Sequence, residues 1–477
     1  MKETLATISR LSRRHALALL ALFVALSGSS YAAYATATKL LPRNSVGSAQ
    51  VINGSLQKAD LSKKARAALK GARGPQGLQG LAGPAGLQAP QGPKGDTGAS
   101  GAPGQPGAQG PQGLPGTAIA RLAPGAAVLT TLEGTGNVGT FTSATIGADV
   151  LGLISYEDET NGDLKVAHCV NSACSSAGVS TLDSAGIVGR YSSVAIGADG
   201  LGLISYRDAT NGALKVAHCT NSACTSAGLS TLDSGGVFST SVAIGADGLG
   251  LISYHANTDL KVAHCNNSAC TSAGLSTVDS TGDVGWDTSV TIGADGLALI
   301  SHNDPGNGDL KVSHCDNTTC TTATTTTLDS LGDVGYYTSA TIGADGLGLI
   351  SYFDATSHDL KVAHCNNSAC TSAGLSTLDS AGNVGTDTSV TIGADGVGLI
   401  SYFDVTNVDL KVARCSNTAC TSATTNTLDS AGVVGEFTSA TIGTDGLPLI
   451  SYFDDTNDDL KVAHCANTFC APYFRRR

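Results

Sequence analysis

Aromatic residues make up only 5% of the 477 residues, with one Trp and one Met, and charged residues only 14%. Any core must therefore be built from Val, Ile, Leu and Ala, with Thr and Ser, rather than from large rings. A helical period is missing too. No 3.6-residue apolar spacing runs through 122–472, which excludes a bundle or an alternation of helices and strands there. Basic charge is scarce in the same region: residues 118–477 carry fourteen Lys/Arg against thirty-six Asp/Glu, a net of −22. Such a surface is expected to repel nucleic acid and anionic membrane. Residues 1–76 have the opposite balance, twelve Lys/Arg against two Asp/Glu, and 77–117 are balanced by Lys94 and Asp96. Cysteine is absent from the first 168 residues, and all fourteen occur after them in pairs.

What is present is a repeat. The pairs Cys169/Cys174, Cys219/Cys224, Cys265/Cys270, Cys315/Cys320, Cys365/Cys370, Cys415/Cys420 and Cys465/Cys470 recur every 50 residues, except for one interval of 46. Self-similarity at this period marks an array of one supersecondary unit. A clean copy contains four strand-like runs: a (TSATI), b (LGLISYF), c (DLKVAHC) and d (CTSAGLSTLD), so that the first cysteine ends run c and the second begins run d. The GADG step between a and b favours a tight hairpin, because glycine takes positive φ without steric cost. Run b is apolar on both faces, as a strand buried between neighbours should be. Each unit is expected to be a four-stranded antiparallel meander that cannot bury its faces alone.

The chain ends choose between a closed ring and an open stack. The last copy stops after run c, while AAVLTTLEGTGNVG at 126–139 reads like a run d ahead of the first copy. A ring needs that N-terminal strand to complete the last sheet, and a stack has no use for it. The expectation is an all-β, seven-bladed β-propeller over 122–472, with four-stranded antiparallel blades and the N-terminal strand closing the last one. The short copy agrees: its missing residues fall between b and c and between d and a, two connections on the same face.

Ahead of the array, Arg10, Arg13 and Arg14 precede the apolar run Ala16–Leu26 and small residues with cleavage options near Ala35 and Ala37, so 1–37 reads as an export signal helix. Uncleaved, it would anchor the chain, and membrane contact is expected only then. Behind an export signal, the constant C-x4-C spacing implies seven local disulfides, one per c–d hairpin. No metal site is expected. The VAHC histidines 168, 218, 264, 314, 364 and 464 are one ligand each, Arg414 replaces the seventh, and they are expected to be hydrogen-bonded between sheets. Residues 38–70 form a basic leader or neck, and 473–477 a basic tail.

From Gly71 to Gly116, glycine occupies fifteen of sixteen third positions, with Ala89 the exception, and eight of the thirteen prolines lie in 71–118. Three polyproline-II chains wind together only when the axial residue has no side chain, so this period specifies a homotrimer. Residues 1–118 resemble the signal, leader and stalk of bacterial collagen-like surface proteins, and 122–472 resemble a seven-bladed propeller. Neither the kelch signature nor the complete Asp-box of sialidase-like propellers is present.

Differences between copies concentrate on one face. After VG in the d–a connector stand Thr140-Phe141, Arg190-Tyr191, Trp286-Asp287, Tyr336-Tyr337, Thr386-Asp387 and Glu436-Phe437, and the b–c loops carry Glu157, Arg207, His255, His302, Phe353, Phe403 and Phe453. Arg190, Tyr191, Arg207, Trp286, Asp287, Tyr336 and Tyr337 are the candidate ligand-binding residues for an extracellular glycan or protein. No catalytic residues and no cofactor are expected, since near-identical repeats do not make a unique constellation. The expected role is structural or adhesive, secreted or on the cell surface. A lectin-type binder is the alternative, and a sialidase-like hydrolase the remote one.

Overall fold

A computed structural model describes residues 127–472, and those residues form seven four-stranded antiparallel sheets. The segments expected from sequence to be an export signal, a basic leader, a Gly-X-Y stalk and a basic tail lie outside the described residues. Blade 1 shows the plan: strand a is Val138–Ile146, b is Gly152–Asp158, c is Asp163–Cys169 and d is Ala177–Asp183. Strand b is buried along its whole length, whereas strand d alternates between covered and open positions, as an outermost strand should.

The ring closes as the chain ends require. Val128–Glu133 pairs antiparallel with Asp459–His464, Thr130 opposite Val462, and completes the sheet begun by Val434–Ile442 and Pro448–Asp454. Every apolar cluster spans two neighbouring blades. Leu449, Leu460 and Val462 of blade 7 pack with Val138, Ile154, Tyr156 and Ala167 of blade 1, and Leu132 of the closing strand packs against this cluster. The aliphatic composition is sufficient because each blade needs only a thin layer of Leu, Ile, Val and Tyr against the next.

Polar ladders repeat around the ring and join blade to blade. On the inside, the Thr-Ser dipeptide of strand a uses both hydroxyls. Thr388 donates to Ser351 of the previous blade at 2.7 Å, and the Ser339 hydroxyl accepts the Val390 N–H at 3.1 Å. The same bonds cross the closure, where Thr142 pairs with Ser451 and Ser439 accepts from Ala144 N–H. On the outside, the last Asp of strand d accepts from the next blade's Tyr and Lys; Asp379 takes Tyr402 Oη at 2.7 Å and Lys411 Nζ at 2.6 Å. Glu133 of the closing strand fills this role for Tyr156 and Lys165.

Burial alone would push these outer carboxyls up, but the lysine and tyrosine donors outweigh it and hold Asp183, Asp233, Asp329, Asp379 and Asp429 below the usual carboxylate range. A carboxyl depressed in the folded state contributes stability above its unfolded pKa, and that stability is lost as pH falls through the folded value. The ladder's share of the stability should therefore hold down to about pH 5 and be lost steeply below about pH 4, where the thermal midpoint falls with it. A midpoint unchanged at pH 3 would contradict the ladder's role.

All seven expected disulfides are present: Cys169–Cys174, Cys219–Cys224, Cys265–Cys270, Cys315–Cys320, Cys365–Cys370, Cys415–Cys420 and Cys465–Cys470, with Cα atoms 4.8 to 5.0 Å apart. Among the described residues no cysteine is free. The second cysteine of each pair corrects the sequence reading, which starts strand d there. Cys174, Cys224, Cys270, Cys320, Cys370, Cys420 and Cys470 lie in the c–d turn, outside every strand. All seven have φ between 47° and 51°, a left-handed conformation uncommon for a residue with a β-carbon. The reason is the turn itself. Each of these cysteines donates its N–H to the carbonyl of the Asn three residues earlier, as Cys174 does to Asn171 and Cys470 to Asn467, and this bond reverses the chain before strand d can begin. The residues after the cysteine then complete the hairpin; Asn366 N–H, for example, donates to Ser372 O at 2.9 Å. Strand d starts three residues after the cysteine, at Ala177 in blade 1 and Ala373 in blade 5, and the disulfide ties the c–d turn to strand c rather than joining two strands.

The histidines are a further correction. They bond within a blade, not between sheets: His168 Nε2 lies 2.9 Å from Asp149 of the same blade's a–b turn, and the other five repeat this pairing. Strands a and c flank strand b, so the cysteine hairpin and the GADG turn meet at one end of the sheet. The turn Asp thus has two partners, its second oxygen accepting the Leu151 N–H at 3.2 Å. Arg414 substitutes for the histidine by pairing with Asp395.

At the last position of the a–b turn, Gly200 has φ of 79°, as glycine readily does, but the first copy places Val150 there with φ of 68°. A β-branched residue in the left-handed region costs about 1–2 kcal/mol. Val150→Gly should raise stability by about 1 kcal/mol after the added chain entropy of glycine is deducted, measured by chemical denaturation.

Candidate functional site

The variable residues lie on strand ends rather than in loops, which corrects the sequence reading. Glu157, Arg207, His255, His302, Phe353, Phe403 and Phe453 are all within strand b, and most are buried, His302 completely. The pairs after VG belong to strand a. There a bulge sets two residues against one: Phe141 and Thr142 together face Tyr156, because the register passes from Thr140–Glu157 to Ser143–Ser155. Bulging puts consecutive residues on the axial side. Phe141, Tyr191, Asp287, Tyr337, Asp387 and Phe437 all have φ near 50°, an unusual conformation for such side chains, and each projects from its blade into the centre. Blade 3, the short one, contributes Ser239.

These seven residues encircle an axial cavity of about 220 Å³, and the buried hydroxyls of the Thr-Ser ladder form the tier beneath them. The ring has two unlike sides. Phe437, Phe141 and Tyr191 stand in line with neighbouring ring centroids 4.5 Å apart. Across from them come Asp287, Tyr337 and Asp387, where Tyr337 N–H donates to Asp287 Oδ2 at 2.9 Å. Both carboxyls are enclosed by the ring, although the cavity leaves part of each residue open to solvent. Burial raises the Asp287 carboxyl, and burial together with the Glu436 charge pushes Asp387 up to about 7. Glu436 is raised as well, by burial and then by Asp455.

Of the seven residues singled out from sequence, the structure brings Tyr191, Asp287 and Tyr337 into this ring. Arg190, Trp286 and Tyr336, each one residue earlier, face away from the axis with Arg207. Arg190 Nε donates to Glu157 at 3.1 Å, and the Arg207 guanidinium lies 4.0 Å over the Phe238 ring. Trp286 stacks on His255 at 4.4 Å and donates its Nε1–H to Asp283 at 2.9 Å. Tyr336 donates to Asp333 at 3.3 Å. This outer tier therefore joins blades 1 to 4 by stacking and ion pairing rather than lining the cavity. Sequence reasoning missed Phe141, Asp387, Phe437 and Ser239 as site residues. Aligning the seven copies at the position of Tyr191 finds all four.

Residues 66–126 match the model of the collagen triple helix repeat (20 copies). Among curated proteins none matches this chain. Similar solved structures include a protein of unknown function from Dyadobacter fermentans, 10% identical over 70% of this chain and 97% of that one, with a TM-score of 0.46. A sialidase, NanB from Streptococcus pneumoniae, is 9% identical over 70% and 68% of the two chains with a TM-score of 0.41. An α-L-arabinofuranosidase from Fusarium graminearum is 11% identical over 58% and 92% with a TM-score of 0.42. Likeness at this level carries no argument about activity. The chain thus carries a segment that matches the collagen triple helix repeat, followed in sequence by a seven-bladed β-propeller whose last blade is completed by the strand after that segment.

Proposed function

We propose that the protein is a non-enzymatic extracellular module, secreted or displayed on the cell surface, in which a trimeric collagen-like stalk presents three propeller heads for binding. The observation that carries this reading is the collagen triple helix repeat at 66–126, because that sequence period serves no purpose in a single chain. Seven disulfides in one domain fit an oxidising compartment. Three heads on one rod make even weak single-head binding effective. Mass in solution tests it: the exported chain should run at three times its single-chain mass, and the chain lacking 71–118 at one. A monomer with the stalk intact would refute the trimer.

A lectin-type role is the second reading, favoured by Tyr337, which is 41% exposed at the cavity and offers a ring face to a sugar. On a glycan array, binding lost in Tyr337→Ala would support it; Trp286→Ala, whose ring stacks in the outer tier, reports on that tier instead. We propose no catalytic role, and turnover of any sialoside would overturn that.

A further inference from the structure

The axial ring is polarised in a way that neither a structural plug nor a water-filled channel requires. One arc is apolar: Phe437, Phe141 and Tyr191, with centroids 4.5 Å apart. The facing arc sets two carboxylates on either side of a phenol, in the order Asp287, Tyr337, Asp387. Ser239 lies between Tyr191 and Asp287 and leaves the ring's smallest side chain there.

The carboxylates lack a counter-charge. Around Asp387 the charged neighbours are Glu436 and Asp287, both of its own sign, while Tyr337 lies between the two aspartates. The arginines of this face are near Tyr191 instead, and each is engaged, Arg190 with Glu157 and Arg207 on Phe238. Asp287 gives Oδ2 to the Tyr337 N–H, which leaves the lone pairs of Oδ1 for another donor. A cation of the right shape would meet carboxylates on one side and aromatic faces on the other, the two surfaces that attract ammonium groups.

A bare divalent metal fits worse. Calcium takes six to eight oxygens, whereas the hydroxyls beneath the ring are already paired with serines, as Thr388 is with Ser351 and Thr338 with Ser301. The volume of about 220 Å³ is below the usual range for drug-sized ligands and suits a short alkyl chain.

We infer that the axial cavity is a binding site for an organic ammonium ion, its charge between Asp287 and Asp387 and its alkyl part against Phe141, Tyr191 and Phe437. The ammonium belongs to a free amine or to the side chain of a lysine on a partner. This rests on the reading of the heads as binding modules but not on the trimer.

The test is calorimetric titration of the full-length, oxidised protein at pH 8 with n-butylammonium and tetramethylammonium, using n-butanol as the neutral control. Both cations should bind and n-butanol should not. Replacing both aspartates, Asp287→Asn with Asp387→Asn, should weaken n-butylammonium at least tenfold. Lowering the pH to 5 should also weaken it, because a carboxyl titrating at about 7 then holds a proton in place of the ligand. Ser239→Lys is the second variant, since it tethers an ammonium beside Asp287 and should block binding without removing either carboxylate. A blocked lysine peptide binding as tightly as n-butylammonium would assign the ligand to a protein; preference for the free amine would assign it to a small molecule. Absence of cation binding, equal binding of n-butanol, or a double variant with unchanged affinity would overturn the site. A trimer that binds neither cation leaves the proposed stalk-and-heads function in place, whereas a monomer that binds them removes the trimer and keeps the site.

Discussion

Deleting residues 1–134 should lower the thermal midpoint of the propeller by about 5–10 °C, while deleting 1–124 should leave it nearly unchanged. The two truncations differ by little more than the strand Val128–Glu133, which supplies the fourth strand of blade 7. Without it, Leu132 no longer covers the cluster of Leu449, Leu460 and Val462. Tyr156 and Lys165 of blade 1 lose Glu133 as acceptor. A half-buried leucine is worth about 1–2 kcal/mol and a lost charged acceptor about 1–3 kcal/mol, so with the backbone pairing the cost approaches roughly 5 kcal/mol. Asp459–His464 would also become an unpaired edge, so the shorter truncate should aggregate more readily. Equal midpoints for the two would mean that blade 7 holds without its fourth strand.

Reduction should have an effect of similar or greater size, but only through the unfolded chain. The cysteines are almost wholly buried, from Cys169 at 0% to Cys415 at 4% exposure, so mild reductant should act slowly on the folded protein. Once unfolded, each six-residue loop is open to reduction. Closing such a loop contributes about 2 kcal/mol by the chain-entropy estimate, so seven together are worth on the order of 10 kcal/mol, less where the hairpin forms without the bond. Chemical denaturation with reductant should therefore show a much lower midpoint than without. Matching curves would show that the hairpins are stable without their bonds.

Much of this fold is legible in the sequence because the repeat fixes the phase of every element. Run c is the observed strand to the residue, Asp359–Cys365 in the fifth copy, and the N-terminal run d does complete the last blade. The two paired deletions in the short copy appear as a two-residue b–c turn after Ala256 and a short d–a connector before Val237. Local spacing suffices for which cysteines pair. It does not show that Cys370 sits in a left-handed turn before strand d, because C-x4-C fits a bond within a turn as well as one between two strands.

What is not legible depends on contacts across strands. The partner of His168 lies nineteen positions earlier, at Asp149, and only the a–b–c register brings the two together. The bulge in strand a is equally silent. A regular strand would send Tyr337 and Thr338 to opposite faces, but both line the cavity because Tyr337 adopts φ of 52°. Variation between copies marks Arg190-Tyr191 and Tyr336-Tyr337, yet it does not say which member of each pair faces the axis. Run b, LGLISYF, already ends on Phe353, but the variation there also marks the b–c loop; the strand reaches Asp354, and Phe353 pairs with Leu360 in the sheet and is 7% exposed.

Hydrogen exchange read by mass spectrometry over residues 128–133 of the native protein tests the closed ring most directly. The amides that pair with Asp459–His464 should be protected to the same degree as those of the matching strand Ala177–Asp183 in blade 1. Exchange of 128–133 at the rate of an unstructured peptide, with Ala177–Asp183 still protected, would contradict closure by this strand.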